Sequence, residues 1–260
     1  MTTQLNDFSL DFFSLAGKVA IVTGGNTGLG QGYAVALANA GADVFVVTHG
    51  TNWDETRELI EAEGRRVEFF QADLTDREAI KEIVAACVSA FGKIDILVNN
   101  AGTIRRAPLL EYKAEDWDAV MEINLNSVYF LSQEVAKVMV EQKSGKIINV
   151  ASMLSFQGGK FVPPYTASKH AVAGVTKAFA NELAQYGIQI NAIAPGYVET
   201  ANTAPIREDE GRHKEITARI PAGRWATPAD LMGVVVFLSS KASDYMNGHI
   251  LAVDGGWLAR

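Results

Sequence analysis

Lys18-Val-Ala-Ile-Val-Thr-Gly-Gly-Asn-Thr-Gly-Leu-Gly30 runs from a β-branched apolar stretch directly into a glycine-rich turn. The first six residues, 18–23, read as a buried strand. Residues 30–40, small and apolar, read as the helix that follows. Glycines between a strand and a helix let the backbone turn tightly and come close to a pyrophosphate at the helix N-terminus, where unpaired N–H groups attract an anion. Alone, such a turn is also an ordinary strand-to-helix connection. What turns the reading toward a dinucleotide is its place at the head of an alternating β/α chain, which makes Gly24, Asn26, Thr27, Gly28, Leu29 and Gly30 candidate cofactor residues.

Outward from this turn the alternation continues. Strands are expected at 44–47, 67–71, 94–98, 146–150, 189–194 and 250–253, and helices at 53–63, 77–91, 114–142, 165–186 and 228–239. Strands alternating with helices predict an α/β fold, a Rossmann-type doubly wound sheet of seven parallel strands with helices on both faces. No repeat, linker or composition shift divides the chain, so residues 1–260 are expected to form one domain. Residues 1–15 are an apolar lead-in that repeats Phe-Ser-Leu at Phe8-Ser9-Leu10 and Phe13-Ser14-Leu15. Residues 200–225 are long for a connection and are expected to form a substrate lid, although their charged run reads equally as a solvated surface helix.

Composition removes whole classes of function. Of 260 residues 48% are hydrophobic, too many for a disordered chain, and the net charge of −7 comes without the clustered Lys and Arg of a nucleic-acid surface. No apolar run approaches the roughly 20 residues of a membrane helix. The single Cys87 and four scattered histidines point to neither a disulfide nor a metal site. A metal-free cytoplasmic protein is the expectation.

Tyr165 and Lys169 are four residues apart and share one helix face, which by itself is a common coincidence. The spacing Thr23-Gly-x-x-x-Gly28-x-Gly30, with Tyr165, Lys169 and Ser152 thirteen residues before the tyrosine, resembles the classical short-chain dehydrogenase/reductase family. Asn99-Asn100-Ala101-Gly102 resembles the element that steadies the sheet and lines the adenosine side in that family. Asp73-Leu74 matches the position that meets the adenine, and Pro195-Gly196 with Val198 and Thr200 matches the element that meets the nicotinamide carboxamide. The resemblance spans about residues 15–260 and implies a usual assembly of four copies, a homotetramer, for which Ala167, Ala171, Ala173 and Gly174 would allow close helix approach.

The chemistry asks for these residue types. Hydride transfer to a ketone builds negative charge on oxygen, which needs a proton donor aimed at it. Tyr165 is that donor, and the Lys169 ammonium makes ionisation of the phenol easier. By the resemblance Lys169 also holds the nicotinamide ribose, Ser152 binds the substrate oxygen, and Asn124 in Ile123-Asn124-Leu125-Asn126 positions a water. Asn124 also reads as a structural residue at a helix kink.

Cofactor choice turns on the end of the second strand, where NAD enzymes of this fold carry an acidic residue and NADP enzymes a nearby arginine. Thr48-His49-Gly50 offers neither, and neither Asn26 nor Thr27 is a cation, which favours NAD, with His49 as a ribose neighbour. A narrower resemblance, carried by residues 99–106, 151–159, 220–225 and 252–260, is to family members that act on a keto-sugar acid. They interconvert 3-deoxy-D-glycero-2,5-hexodiulosonate and 2-dehydro-3-deoxy-D-gluconate in uronate breakdown. A carboxylate substrate calls for a local cation: Arg105 or Arg106, with Arg105 the first candidate, and Gln157 for a hydroxyl. The alternatives are oxidation of gluconate at the same carbon and, in another class, a dinucleotide sensor that does no chemistry.

Overall fold

A computed structural model describes residues 9–260 of the chain. Its seven strands are β1 (Val19–Thr23), β2 (Asp43–Thr48), β3 (Val67–Gln71), β4 (Ile96–Asn99), β5 (Gly145–Val150), β6 (Ile188–Pro195) and β7 (Ile250–Val253). They form one sheet in the order β3-β2-β1-β4-β5-β6-β7, every pairing parallel. The helices are α1 (Gly28–Asn39), α2 (Asp54–Ala62), α3 (Arg77–Phe91), α4 (Ala114–Met121), α5 (Ser127–Gln142), α6 (Pro163–Leu183), α7 (Ala204–Arg207), α8 (Glu210–Arg219) and α9 (Ala229–Ser239).

Strand alternation divides the core into two layers. Ala20 and Val22 of β1 join α1 and α9 side chains such as Leu37, Leu231 and Val235 on one face. Val19 and Ile21 join Ile83, Leu131 and Val135 of α3 and α5 on the other. All five β1 residues are buried, as a strand covered on both faces requires, which is why the stretch reads as a continuous apolar run. The strand order reverses between β1 and its two neighbours, β2 and β4. In such sheets the crevice at the carboxyl ends of these strands is where a ligand binds.

Two expectations change in detail. The helix expected over 114–142 is interrupted: α4 and α5 are joined by a wide π-type turn, Glu122–Asn126. Of the lead-in, residues 1–8 lie outside the described part. Leu10–Phe13 form a 3₁₀ turn capped by the Ser9 side chain, and Leu15 is buried against the α1 end, its N–H donating to Ala40 O at 2.7 Å. Phe12 lies under the Lys241 ammonium, 4.4 Å from ring centroid to nitrogen.

Candidate active site

The Gly24 turn leaves β1 at positive φ, 62°, its N–H donating to Val47 O at 2.7 Å. α1 then packs so closely on the turn that a Cβ at Gly30 would stand 2.0 Å from Gly24 O. Backbone atoms occupy both sides of that contact, so only glycine fits. Asn100 fastens the turn from β4: its Nδ2 donates to Thr23 O at 2.9 Å, while the Thr23 hydroxyl accepts from the N–H groups of Asn100 and Ala101, each at 3.0 Å. Thr27 precedes α1 without a side-chain cap, which leaves the first N–H groups of the helix facing the cleft. This is a cradle for phosphate, and the residues present fit a dinucleotide.

Below the cradle Asn99 is fully enclosed. Its Nδ2 donates to Ser132 Oγ at 2.9 Å and Asn149 Oδ1 at 2.8 Å, and Asn149 in turn donates to Thr176 Oγ1 at 2.9 Å. This buried chain ties β4 and β5 to α5 and α6 beneath the site.

A cleft of about 1180 Å³ opens over the sheet's carboxyl edge. Gly24, Asn26, Thr27, Gly28, Leu29, Gly30, His49, Asp73, Leu74, Asn100, Ala101, Gly102, Gly196 and Thr200 all line it, as do Ser152, Tyr165, Lys169, Arg105 and Gln157. Pro195 and Val198 do not: Pro195 is the last residue of β6, paired with Val253, and Val198 is buried behind the wall and bridges Ala226. Asp73 is exposed, and its carboxylate accepts from the N–H and hydroxyl of Thr75, which together hold it below the usual carboxylate range.

Ser152 leaves β5 in extended conformation and caps a short turn, Met153–Ser155, its hydroxyl accepting from Leu154 N at 3.1 Å. Pro163 and Pro164 open α6, as prolines do in a first turn, and set Tyr165 and Lys169 on one inward face. The Lys169 ammonium lies 5.5 Å from the Tyr165 ring centroid and donates to Val150 O at 2.6 Å. Burial pushes the Lys169 amine down to about 8. Withdrawal from water pushes the Tyr165 phenol up, opposed by its hydrogen bond with Ser152 and by the Arg106 charge.

Asn124, on the π turn, is fully buried. Its Oδ1 accepts from Thr103 N at 2.8 Å and its Nδ2 donates to Thr103 O at 2.9 Å, so both ends of the amide hold the Thr103 segment to the helix. The Arg105-Arg106 pair separates. Arg105 donates to Thr103 Oγ1 at 2.9 Å and pairs with Asp116 at 3.5 Å on the exposed side. Arg106 reaches Asn202 O at 3.0 Å, and its charge acts on Tyr165, Tyr112 and Tyr197. Both arginines line the cleft, and it is the Arg106 charge that acts on the Tyr165 phenol.

Residues 200–225 fold as α7 and α8, and Arg212, Glu215, Ile216 and Arg219 of α8 line the cleft. Their spacing of three, four and seven residues marks one helix face and was available as a signal in the sequence. Beneath them Met153, Ile206, Ile216, Ile220, Trp225 and Trp257 form an apolar cluster of their own. Among the described residues no group of His, Cys, Asp and Glu could hold a metal, and no helix is long and apolar enough to cross a membrane.

A family model described as enoyl-(acyl carrier protein) reductase matches residues 24–258. The chain is a short-chain dehydrogenase/reductase. It is 57% identical over 250 residues to the 2-dehydro-3-deoxy-D-gluconate 5-dehydrogenase of Bacillus subtilis (strain 168), covering 96% of this chain and 98% of that one. A solved structure from Agrobacterium tumefaciens, described as a candidate 2-deoxy-D-gluconate 3-dehydrogenase with bound NADP, is 52% identical, with a TM-score of 0.90 over 95% of this chain and 99% of that one. A gluconate 5-dehydrogenase from Burkholderia cenocepacia J2315, solved with NADP and tartrate, is 37% identical, with a TM-score of 0.93 over 97% and 100%. This dehydrogenase is thus an NAD(P)-dependent oxidoreductase acting on a hydroxyl group, built on the Rossmann-type fold its strand order defines.

Proposed function

We propose that this dehydrogenase interconverts 3-deoxy-D-glycero-2,5-hexodiulosonate and 2-dehydro-3-deoxy-D-gluconate with NAD(H), as a cytoplasmic homotetramer in uronate breakdown. The observation that carries the reading is the meeting of two things at one phenol: Ser152 and Lys169 beside Tyr165, and Arg106 directing its charge at the same ring. A donor for a carbonyl oxygen and a cation for a carboxylate then stand in one cleft of an otherwise acidic protein. The Bacillus subtilis relative, named for 2-dehydro-3-deoxy-D-gluconate, supports the choice of substrate.

The nicotinamide, when bound, supplies or takes up the hydride. The Gly24–Gly30 cradle would hold its phosphates, Asp73 and Leu74 its adenine, and Lys169 its nicotinamide ribose. In reduction Tyr165 gives its phenolic proton to the carbonyl oxygen while the Ser152 hydroxyl donates to that same oxygen and steadies the charge building on it. The Lys169 ammonium and Arg106 then stabilise the phenolate left behind. In oxidation the same phenolate removes the alcohol proton. Asn124 is a positioning residue for this centre, through Thr103, beside the route by which water returns the proton. Arg106 takes the place of Arg105 as the first cation for the carboxylate, and α7 with α8 serves as the lid.

NAD(H) is the proposed cofactor because no Lys or Arg lines the cleft where Thr48, His49 and Gly50 end β2. The Asn26 amide there is turned to Asn52 Oδ1 at 2.9 Å. A 2′-phosphate dianion would find no fixed cation in that wall.

The test is oxidation of NADH and NADPH over a panel containing the 3-deoxy diketo acid and 5-keto-D-gluconate. Higher kcat/KM is expected for the 3-deoxy acid and for NADH. Preference for 5-keto-D-gluconate would assign a gluconate 5-dehydrogenase, and preference for NADPH would overturn the cofactor choice. Tyr165→Phe is expected to lower turnover by about 10²–10⁴-fold with NADH binding retained. No turnover with any acid in the panel would leave a dinucleotide sensor instead.

A further inference from the structure

The cleft holds more positive charge than one carboxylate contact explains. Arg106 comes from the loop after β4, and Arg212 and Arg219 come from α8. None of the three forms an ion pair among the described residues. Arg219 is otherwise occupied: its guanidinium lies 3.9 Å from the Trp257 ring centroid and reaches Gln157 Oε1 at 3.5 Å, so it anchors the end of α8 to the floor of the cleft. Arg212 is different. Its backbone N–H donates to the capping carboxylate of Asp209 at 3.0 Å, but its half-buried side chain makes no hydrogen bond among the described residues and acts on Arg106 and on Tyr197.

Two guanidinium groups that line one cleft and act on each other repel, and the half-burial of Arg212 deepens the cost because less water screens it. An anion between them reverses the sign of both interactions. Arg106 acts on the Tyr165 phenol and donates to Asn202 O at 3.0 Å, in the segment that leads into α7 and α8, so it links the reacting group to the lid. In a six-carbon acid reacting at C5, four carbon–carbon bonds separate the carbonyl carbon from the carboxylate carbon, a span of about 5 Å when extended. A substrate reacting at Tyr165 therefore needs a cation about that far from the phenol, and Arg106 is the arginine whose charge acts on it.

We propose that the substrate carboxylate is clamped between Arg106 on the wall and Arg212 on α8, so that the lid reads the acid and closes on it. The proposal rests on the substrate class given above and makes Arg212 a specificity-determining residue. Arg219 positions the helix without holding the acid. The pocket discriminates by leaving two cations unpaired whenever a neutral sugar enters, a repulsive element as well as an attractive one.

The experiment compares kcat/KM for 3-deoxy-D-glycero-2,5-hexodiulosonate with that for D-threo-2,5-hexodiulose, a neutral six-carbon diketone, in wild type, Arg212→Ala and Arg212→Gln. The acid-to-neutral ratio is expected to fall about 10- to 100-fold in both variants, the range for losing one hydrogen bond to a charged group. Arg212→Lys, which keeps the charge and loses the planar fork, should recover part of it. Thermal melts by circular dichroism establish that each variant folds. A second readout needs no turnover: emission from Trp225 and Trp257, both under α8, titrated with tartrate. A saturable change in wild type that is lost in Arg212→Gln is expected. An unchanged ratio in folded variants would overturn the clamp, as would an equal fall for both substrates. Absence of keto-acid turnover in wild type, with an Arg212-dependent tartrate response intact, would overturn the proposed function and leave the clamp standing.

Discussion

Lys169 carries an energetic cost that its chemistry explains. An ordinary lysine titrates near ~10.4, and this one is pushed down to about 8 because its ammonium, which donates to Val150 O, is buried away from water. Below pH 8 both the folded and unfolded chains hold the proton, and the folded state bears the full desolvation cost, about 3 kcal/mol. Between about pH 8 and ~10.4 the unfolded chain binds a proton that the folded chain has released, so this group's contribution to stability rises with pH through that window. Lys169→Met removes the dependence. In the cofactor-free protein the wild type is therefore expected to gain on the variant in Tm as pH rises from 7.5 to 10, while the variant has no turnover at either pH. A difference in Tm that stays flat across the window would contradict the assignment. What the fold tolerates here is an ammonium held beside a phenol, which is what proton transfer from Tyr165 needs.

At the scale of the element, the pair of asparagines at the end of β4 divides into two tasks. Asn100 faces the glycine turn, and Asn99 faces inward to Ser132 and Asn149. Asn99→Ala leaves the Asn149 oxygen without its buried donor, at a cost of about 1–3 kcal/mol plus the small void. A lower urea midpoint is expected with the Tyr165 region still folded, and the coupling to Asn149 is read from a double-mutant cycle with Asn149→Ala. Additive losses would show that the two amides do not act as a unit. The same scale shows how far the sequence could be read. Strands were legible because residues such as Val19 through Val22 are covered on both faces and so carry no polar interruption. α3 was legible because Asp76 caps it, accepting from Glu78 N at 2.9 Å. The break at Glu122–Asn126 was legible only as a kink read at Asn124, since neither proline nor glycine marks its extent and its cause is tertiary: the buried amide of Asn124 binds the Thr103 backbone. The Arg105-Arg106 doublet announced a cation and not its direction, which depends on Asp116 and Asn202, residues far from both in the chain's local pattern.

For the whole molecule, the face left by α5 and α6 bears on the proposed homotetramer. Tyr129 is 37% exposed and packs on Phe130 and Phe179, and Trp117 on the neighbouring α4 is 42% exposed. Ala167, Ala171, Gly174 and Ala178 run along α6 at intervals of four, three and four residues, all exposed or half-exposed, whereas Ala173 turns inward and belongs to the core. The small residues that face out would let a second α6 or α5 approach closely, and the aromatic rings beside them supply area that water does not favour. Gly174 is the informative position. A Cβ there meets nothing within 4 Å, so a longer side chain fits the isolated chain without strain on its neighbours, and Gly in a helix interior lends no stability of its own. Light scattering behind size-exclusion chromatography should give four times the 28.0 kDa chain for the wild type. Gly174→Glu is expected to fold at least as stably and to shift that mass to a smaller assembly, because a charge placed in a close helix contact is desolvated without a partner. A monomeric wild type would refute the assembly. A tetramer unaltered by Gly174→Glu would move the interface off α6 and onto another face of the sheet.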